Sequence, residues 1–151
     1  MNYKEYNGDL FDAPKEYVLA HCISVDAEMG AGIAKEVSKR MGGRDYINSH
    51  IRPYTSNSTC VKSNLKDGRI VYNLVTKNRY YQKPSYDSLE RSLYELKNQL
   101  LNTELKDDEQ IKLAMPRIGS GLDRLTWRKV RKMIKRVFED TDVDILVYYL
   151  N

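Results

Sequence analysis

Short apolar runs alternate along the chain with segments whose apolar residues recur every three or four positions. The first pattern suits strands, and the second suits helices that bury one stripe. Residues 17–23 read as a buried strand, and 69–76, 111–115 and 144–150 read as three more. A weaker strand is expected around Val61. After Pro84, Ser85 can cap a helix whose stripe is Tyr86, Leu89, Leu93, Leu96 and Leu100. Asp87 falls in its first turn, at the positive end of the helix dipole. A second helix starts near Thr126 and turns Trp127, Val130, Ile134, Val137 and Phe138 inward. A shorter one runs from about Ile33 to a stop at Gly42 and Gly43. Residues 106–109 read as a polar connection. Strands and helices in alternation predict an α/β layer fold. With no repeat or linker, residues 1–151 are expected to form a single domain.

Composition removes several classes. Hydrophobic residues at 41% and charged residues at 30% fit a soluble globular protein. No apolar stretch approaches the roughly 18 residues of a membrane span, so no membrane partner is expected. The start lacks the apolar run of a secretory signal, so the cytoplasm (or a nucleus) is the expected location. Cys22 and Cys60 form no CxxC and lie near no histidine cluster; they read as buried free thiols, and no metal is expected. His21 reads as a packed, hydrogen-bonded core residue, and neither it nor His50 falls into a nucleophile–histidine–acid pattern. The net charge of +4 is modest but uneven. From Arg124 to Arg136 the chain carries seven basic residues and no acid. Such a helix is most often a solvated face, although Arg128, Lys132 and Arg136 could meet a nucleic acid.

Ligands of open α/β sheets gather beyond the carboxyl ends of strands, where loops lead into helices. Three segments fall at such places. Gly30-Ala31-Gly32-Ile33-Ala34 offers open backbone N–H groups and a helix N-terminus, which favour a phosphate or pyrophosphate. It matches neither GxGxxG nor the P-loop. Pro116-Arg117-Ile118-Gly119-Ser120-Gly121-Leu122-Asp123 supplies a second Gly-x-Gly, and the two loops together could clamp a diphosphate. Both also read as ordinary βα turns. Thr76-Lys77-Asn78-Arg79 closes another strand. A lysine there is ordinarily solvated, but one enclosed in a cleft loses hydration, which favours the neutral, nucleophilic amine. Asp123 stands where an acid often caps the next helix. Spacing alone does not single out Lys77 and Asp123.

Taken in order, these segments resemble the macrodomain family, and within it the terminal ADP-ribose protein glycohydrolase branch. The residues that carry the resemblance are Gly8-Asp9-Leu10-Phe11, Leu19-Ala20-His21-Cys22-Ile23-Ser24, Met29-Gly30-Ala31-Gly32-Ile33-Ala34, Thr76-Lys77 and Lys83-Pro84. Next comes the long block Met115-Pro116-Arg117-Ile118-Gly119-Ser120-Gly121-Leu122-Asp123-Arg124-Leu125, with Trp127 behind it. The likeness extends over nearly the whole chain. Three departures are visible: Ser120 stands where a cysteine is common, Val25-Asp26-Ala27-Glu28 differs from the usual run and places an acid before Met29, and residues 43–59 diverge. The second bears on acceptor preference, and the third is expected to rebuild the cleft rim.

The resemblance implies a three-layer α/β/α fold around a mixed sheet. It implies that Asp9 meets the adenine amino group with Leu10 beside the ring, and that Ser24 lies near the distal ribose. Gly30, Ala31, Gly32 and Ile33 would line the diphosphate and ribose together with Pro116, Ile118, Gly119, Ser120, Gly121 and Leu122. It assigns catalysis to Lys77 and Asp123, with no cofactor. The implied activity is removal of mono-ADP-ribose from acidic side chains, with O-acetyl-ADP-ribose as a further candidate substrate, by a monomer whose partners are ADP-ribose and ADP-ribosylated protein. The alternatives are an ADP-ribose 1″-phosphate phosphatase, a nucleic-acid de-ADP-ribosylase and a non-catalytic ADP-ribose reader.

Overall fold

In a computed structural model of the chain, residues 1–104 and 110–150 are described, without the side chains of 103, 104 and 122. The polar connection expected at 106–109 lies outside the described residues. A six-stranded sheet runs in the order β1-β6-β5-β2-β4-β3. Its strands are β1 (Asn2–Asn7), β2 (Val18–Ser24), β3 (Cys60–Asn64), β4 (Ile70–Lys77), β5 (Lys112–Pro116) and β6 (Asp144–Tyr149). All neighbours are parallel except β3, which pairs antiparallel with β4. The helices are α1 (Gly32–Met41), α2 (Arg44–His50), α3 (Tyr86–Gln99) and α4 (Trp127–Phe138).

Successive side chains of a strand face opposite sides, and the sheet uses both. Leu19 and Ile23 of β2, with Val71 and Val75 of β4, pack in one core with Val37, Met41 and Ile47 of α1 and α2. Ala20, Leu74, Leu113 and Met115 pack in the other core, under Leu89, Leu93 and Leu96 of α3 and Val130, Ile134 and Phe138 of α4. The result is the expected three-layer α/β/α fold. Among the described residues no helix is long and apolar enough to cross a membrane.

The helix stops and starts follow local chemistry. Ser85 caps α3 by accepting from the Ser88 N–H, while the Ser88 hydroxyl accepts from the Ser85 N–H, a reciprocal capping box. Gly42 ends α1 at φ 126°, a conformation that side chains resist. Two elements differ from the sequence reading. The N-terminal residues form edge strand β1, and α2 occupies the divergent stretch 43–59.

The basic helix is partly neutralised. Arg131 Nε donates to Glu5 at 2.6 Å, and Arg136 Nη2 donates to Glu90 at 2.7 Å. Arg128 and Lys132 remain exposed.

One buried polar network crosses the sheet from β2 to β3. Asn73 donates through Nδ2 to Val61 O and Ser63 Oγ, so its Oδ1 must accept from His21 Nε2, 2.6 Å away. That bond places a proton on His21 Nε2. Burial pushes the His21 imidazole down to about 4, against the smaller upward pull of Asn73. An unfolded histidine titrates near 6.5. Below that value the unfolded chain takes up a proton that the folded chain refuses, so the stability present above pH 6.5 drains away as pH falls towards 4. The expected loss is roughly 3 kcal/mol. Carboxylates held low, such as Asp67 and Asp26, lose their charge below that window. Urea unfolding at pH 7.5 and 4.5 checks this; a His21→Gln variant should flatten the difference, and an unchanged slope would remove His21 as its source.

Candidate active site

Strands β5, β2 and β4 lie side by side, and their carboxyl ends carry the loops 117–126, 25–31 and 78–85. Strand order reverses here, because the chain leaves β2 towards β4 on one side and reaches β5 on the other. Such a reversal splays the outgoing loops apart and opens a crevice. A cleft of about 820 Å³ lies there, walled by all three loops.

The β4 loop supplies the amine. Lys77 is the last residue of β4, and a register shift between Ile23 and Ser24 sets Ser24 beside it. Val25 N–H donating to Lys77 O at 2.8 Å, and Asp26 N–H to Asn78 O at 3.2 Å, carry the pairing beyond the strand ends. The β5 loop supplies the carboxylate. Asp123 closes a 3-10 turn, Gly121–Asp123, and leaves the capping position of α4 to Thr126. Lys77 Nζ donates to Asp123 Oδ1 at 2.7 Å across a separation of 46 residues. The two side chains are 15% and 16% exposed, enough to be reached from the cleft yet largely withdrawn from water.

The other two walls are backbone. Neither Ala31 at the start of α1 nor Thr126 at the start of α4 makes a side-chain capping bond. The first turn of α1 therefore presents unsatisfied N–H groups, and it carries no acid to repel an anion. A Cβ built on Gly30 would meet nothing, so this backbone borders open space. Gly119 is the opposite case. Its φ is 72°, and a Cβ there would come within 3.0 Å of Leu125 Cδ1 and 3.1 Å of Leu89 Cδ2. Gly119→Ala is therefore expected to cost about 1–3 kcal/mol in stability and to displace the loop. Gly121→Ala, with φ 63° but open space around it, should cost less. Thermal melts of the two variants, with ADP-ribose titrations, check this order.

The β2 loop is held under tension. Ala27 and Met29 adopt left-handed φ of 50° and 49°, which costs a side chain about 1–2 kcal/mol each. The divergent segment holds the loop in place. Arg44 donates to Ala27 O at 2.8 Å and also to Glu28 O, and Thr55 Oγ1 donates to Val25 O at 2.6 Å. Ser24 donates its hydroxyl to Asp26, whose carboxyl is held low by that bond and by the N–H groups of Tyr80 and Glu28, against burial.

Of the residues expected at the site, Ser24, Gly30, Ala31, Gly32, Ile33, Pro116, Ile118, Gly119, Ser120 and Gly121 line this cleft with Lys77 and Asp123. Asp9 and Leu10 are not part of its lining. Asp9 caps a 3-10 turn by accepting from the Phe11 N–H at 2.9 Å, and Leu10 is buried. The side chain of Leu122 lies outside the described residues. Ser120 turns its hydroxyl onto Arg117 O at 2.6 Å, so its loop faces the cleft through backbone.

The sequence reading passed over several wall residues. His21 lines the cleft with a buried Nδ1 that has no partner among the described residues. Cys22, a free thiol packed against the core as expected, also lines the cleft; burial and the charge of Asp123 push it up to about 12, so it stays a thiol. Tyr80 and Tyr81 flank the mouth, 61% and 70% exposed. Two exposed aromatics just after a candidate lysine were the available signal. Among the described residues no group of His, Cys, Asp and Glu could hold a metal ion.

No protein-family profile matches the chain. Over 144 residues it is 46% identical to the ADP-ribose glycohydrolase OARD1 of Homo sapiens, covering 95% of this chain and 88% of that protein. The chain belongs to the OARD1 family. The fold agrees. The macrodomain of Mycobacterium tuberculosis DarG superposes with a TM-score of 0.81 at 20% identity, over 99% of this chain and 98% of that one. Thermosipho africanus DarTG in complex with ADP-ribose matches with a TM-score of 0.77 at 16% identity, over 97% of this chain and 41% of that one. This OARD1-family chain is thus a macrodomain with its Lys/Asp pair at the cleft.

Proposed function

We infer that the protein is an ADP-ribose glycohydrolase that frees mono-ADP-ribose from acidic side chains, with Lys77 as nucleophile and Asp123 as its proton partner. The observation that carries this reading is the 2.7 Å pair at the cleft of an OARD1-family chain. A reader needs only the grip on the nucleotide, and a half-buried lysine–aspartate pair adds nothing to that grip.

The chemistry follows from the two groups. The anomeric carbon of an ADP-ribosyl ester bears a carboxylate leaving group, whose acid titrates near 4, so its departure needs little acid help. The Lys77 amine forms a bond to that carbon, and the carbon–oxygen bond breaks with its electron pair leaving on the carboxylate. The amine proton passes to Asp123, already within hydrogen-bond reach. The ring carbon–oxygen bond then breaks, its electron pair leaving on the ring oxygen, which takes the proton from Asp123, and a carbon–nitrogen double bond forms. Water adds to that imine carbon, the carbon–nitrogen bond breaks as the amine regains a proton, and ADP-ribose departs. Two lower barriers replace one high barrier. The uncapped start of α1 and the Gly119-Ser120-Gly121 loop are suited to the diphosphate. Asp9 and Leu10 would serve the adenine end, beyond the cleft proper.

A panel of glutamate-linked peptide, O-acetyl-ADP-ribose, ADP-ribose 1″-phosphate and ADP-ribosylated DNA tests this. The expected order puts the two carboxylate esters first. Binding of ADP-ribose without turnover of any substrate would instead make the protein a reader.

A further inference from the structure

The cleft does not end at Lys77. A second hollow of about 730 Å³ adjoins it and shares Glu28, Tyr81 and Gln82 with it. The remaining wall includes Arg52 from the divergent stretch, Arg79 from the β4 loop, and Thr55. With the nucleotide in the first cleft and its reacting carbon at Lys77, the leaving group must lie on the outward side of the Lys/Asp pair. The two hollows meet at Tyr81 and Gln82, in the loop that follows Lys77, and Asn78, the next residue after Lys77, lines the second one.

We propose that this hollow is an acceptor subsite that holds the polypeptide around the modified residue and selects for acidic side chains beside it. The proposal rests on the glycohydrolase reading. Arg52 is exposed and makes no ion pair among the described residues, so its guanidinium is available to a carboxylate. Arg79 is also exposed and lines the same hollow, and its backbone N–H donates to Gln82 Oε1 at 2.9 Å, which holds the 78–85 loop that carries it. Asp26 accepts from the Ser24 hydroxyl and from the Tyr80 N–H, the latter at 3.1 Å, and the Arg79 charge also helps hold its carboxyl low, so Arg52 is the freer of the two cations. Tyr80 and Tyr81 pack edge to face, 5.4 Å between centroids, and hold an aromatic surface at the junction of the two hollows. Such a surface covers aliphatic or proline residues of a chain crossing it.

A peptide fits better than a nucleic acid. Glu28 is exposed on the shared wall, so a strand with one phosphate per nucleotide would run against its carboxylate, whereas a peptide can set its acids at Arg52 and a neutral residue at Glu28. A peptide brings charge only where its side chains put it.

The test compares wild type with Arg52→Ala/Arg79→Ala on four substrates. Three are a peptide with one ADP-ribosylated glutamate between acidic residues, the same peptide with lysines there, and O-acetyl-ADP-ribose, which has no chain to dock. The fourth is ADP-ribosylated single-stranded DNA. Wild type should favour the acidic peptide over the lysine peptide by about tenfold in kcat/KM, mostly through KM. The double variant should lose that preference and keep its O-acetyl-ADP-ribose rate. Equal wild-type rates on both peptides, or an equal loss on O-acetyl-ADP-ribose, would overturn the subsite while leaving the glycohydrolase reading intact. A loss confined to the DNA would reassign the hollow to nucleic acid. A wild type inactive on all four would remove the glycohydrolase reading and the subsite with it.

Discussion

Lys77→Ala is expected to reduce turnover of glutamate-linked ADP-ribose by roughly 10³-fold or more, with ADP-ribose affinity held within about threefold. The asymmetry is the point. Lys77 contributes one amine at the end of β4, whereas in the proposed reading the grip on the nucleotide would come from backbone at α1 and at the Gly119-Ser120-Gly121 loop, which line the cleft. Removing the amine removes the bond-forming step and leaves those loops in place. Lys77→Arg should fail as fully, because a guanidinium keeps its charge and is a poor nucleophile. Single-turnover kinetics beside calorimetric titration with ADP-ribose separates the two effects. A kcat preserved in Lys77→Ala would end the covalent route.

Asp123→Ala is expected to lower kcat by about 10²- to 10⁴-fold, the range for a positioned proton-transfer group. The loss should fall on both halves of the reaction, and more heavily on the second, so that the lysyl adduct accumulates. Before attack the amine must shed a proton, and Asp123 Oδ1 is its partner at 2.7 Å. After attack, the carbon–nitrogen bond must break, and the departing amine must regain a proton. Asp123→Asn keeps the size and a hydrogen bond but not the basic oxygen, so it should resemble the alanine variant. Stability should change little more than for other half-buried polar groups, because the pair retains some contact with water at 15% and 16% exposure. A pH–rate profile of each variant against wild type checks the proton role.

Much of the fold was visible in the sequence because its elements carry strong periodic signals. The stripe Leu89, Leu93, Leu96 is fully buried, and Ser85 caps the helix it was expected to cap. Strand β1 escaped because it is an edge strand of mostly polar residues, Asn2–Asn7, with no apolar run to detect. Its place depends on distant partners: Glu5 accepts from Arg117 at 3.3 Å, Trp127 at 3.2 Å and Arg131 at 2.6 Å. Helix α2 escaped because seven residues with Ile47 alone buried make no stripe. The site divides in the same way. The glycine loops were readable because left-handed backbone and close approach demand that residue type. The Lys77–Asp123 pair was not readable from spacing, since only the order β5-β2-β4 brings two residues so far apart in sequence into contact. Resemblance supplied the pair, and topology explains it. The acceptor side was the least legible, because Arg52, Arg79 and Tyr81 are exposed residues that carry no pattern until the loops are placed.

The most direct test is to trap the covalent intermediate. Asp123→Ala is mixed with a glutamate-linked ADP-ribosylated peptide, reduced with borohydride, digested and mapped by mass spectrometry. One ADP-ribose should appear on the peptide containing Lys77, and none when Lys77→Ala is added to the same protein. Substrate turnover by wild type with no adduct in either variant, or an adduct at another residue, would contradict the account.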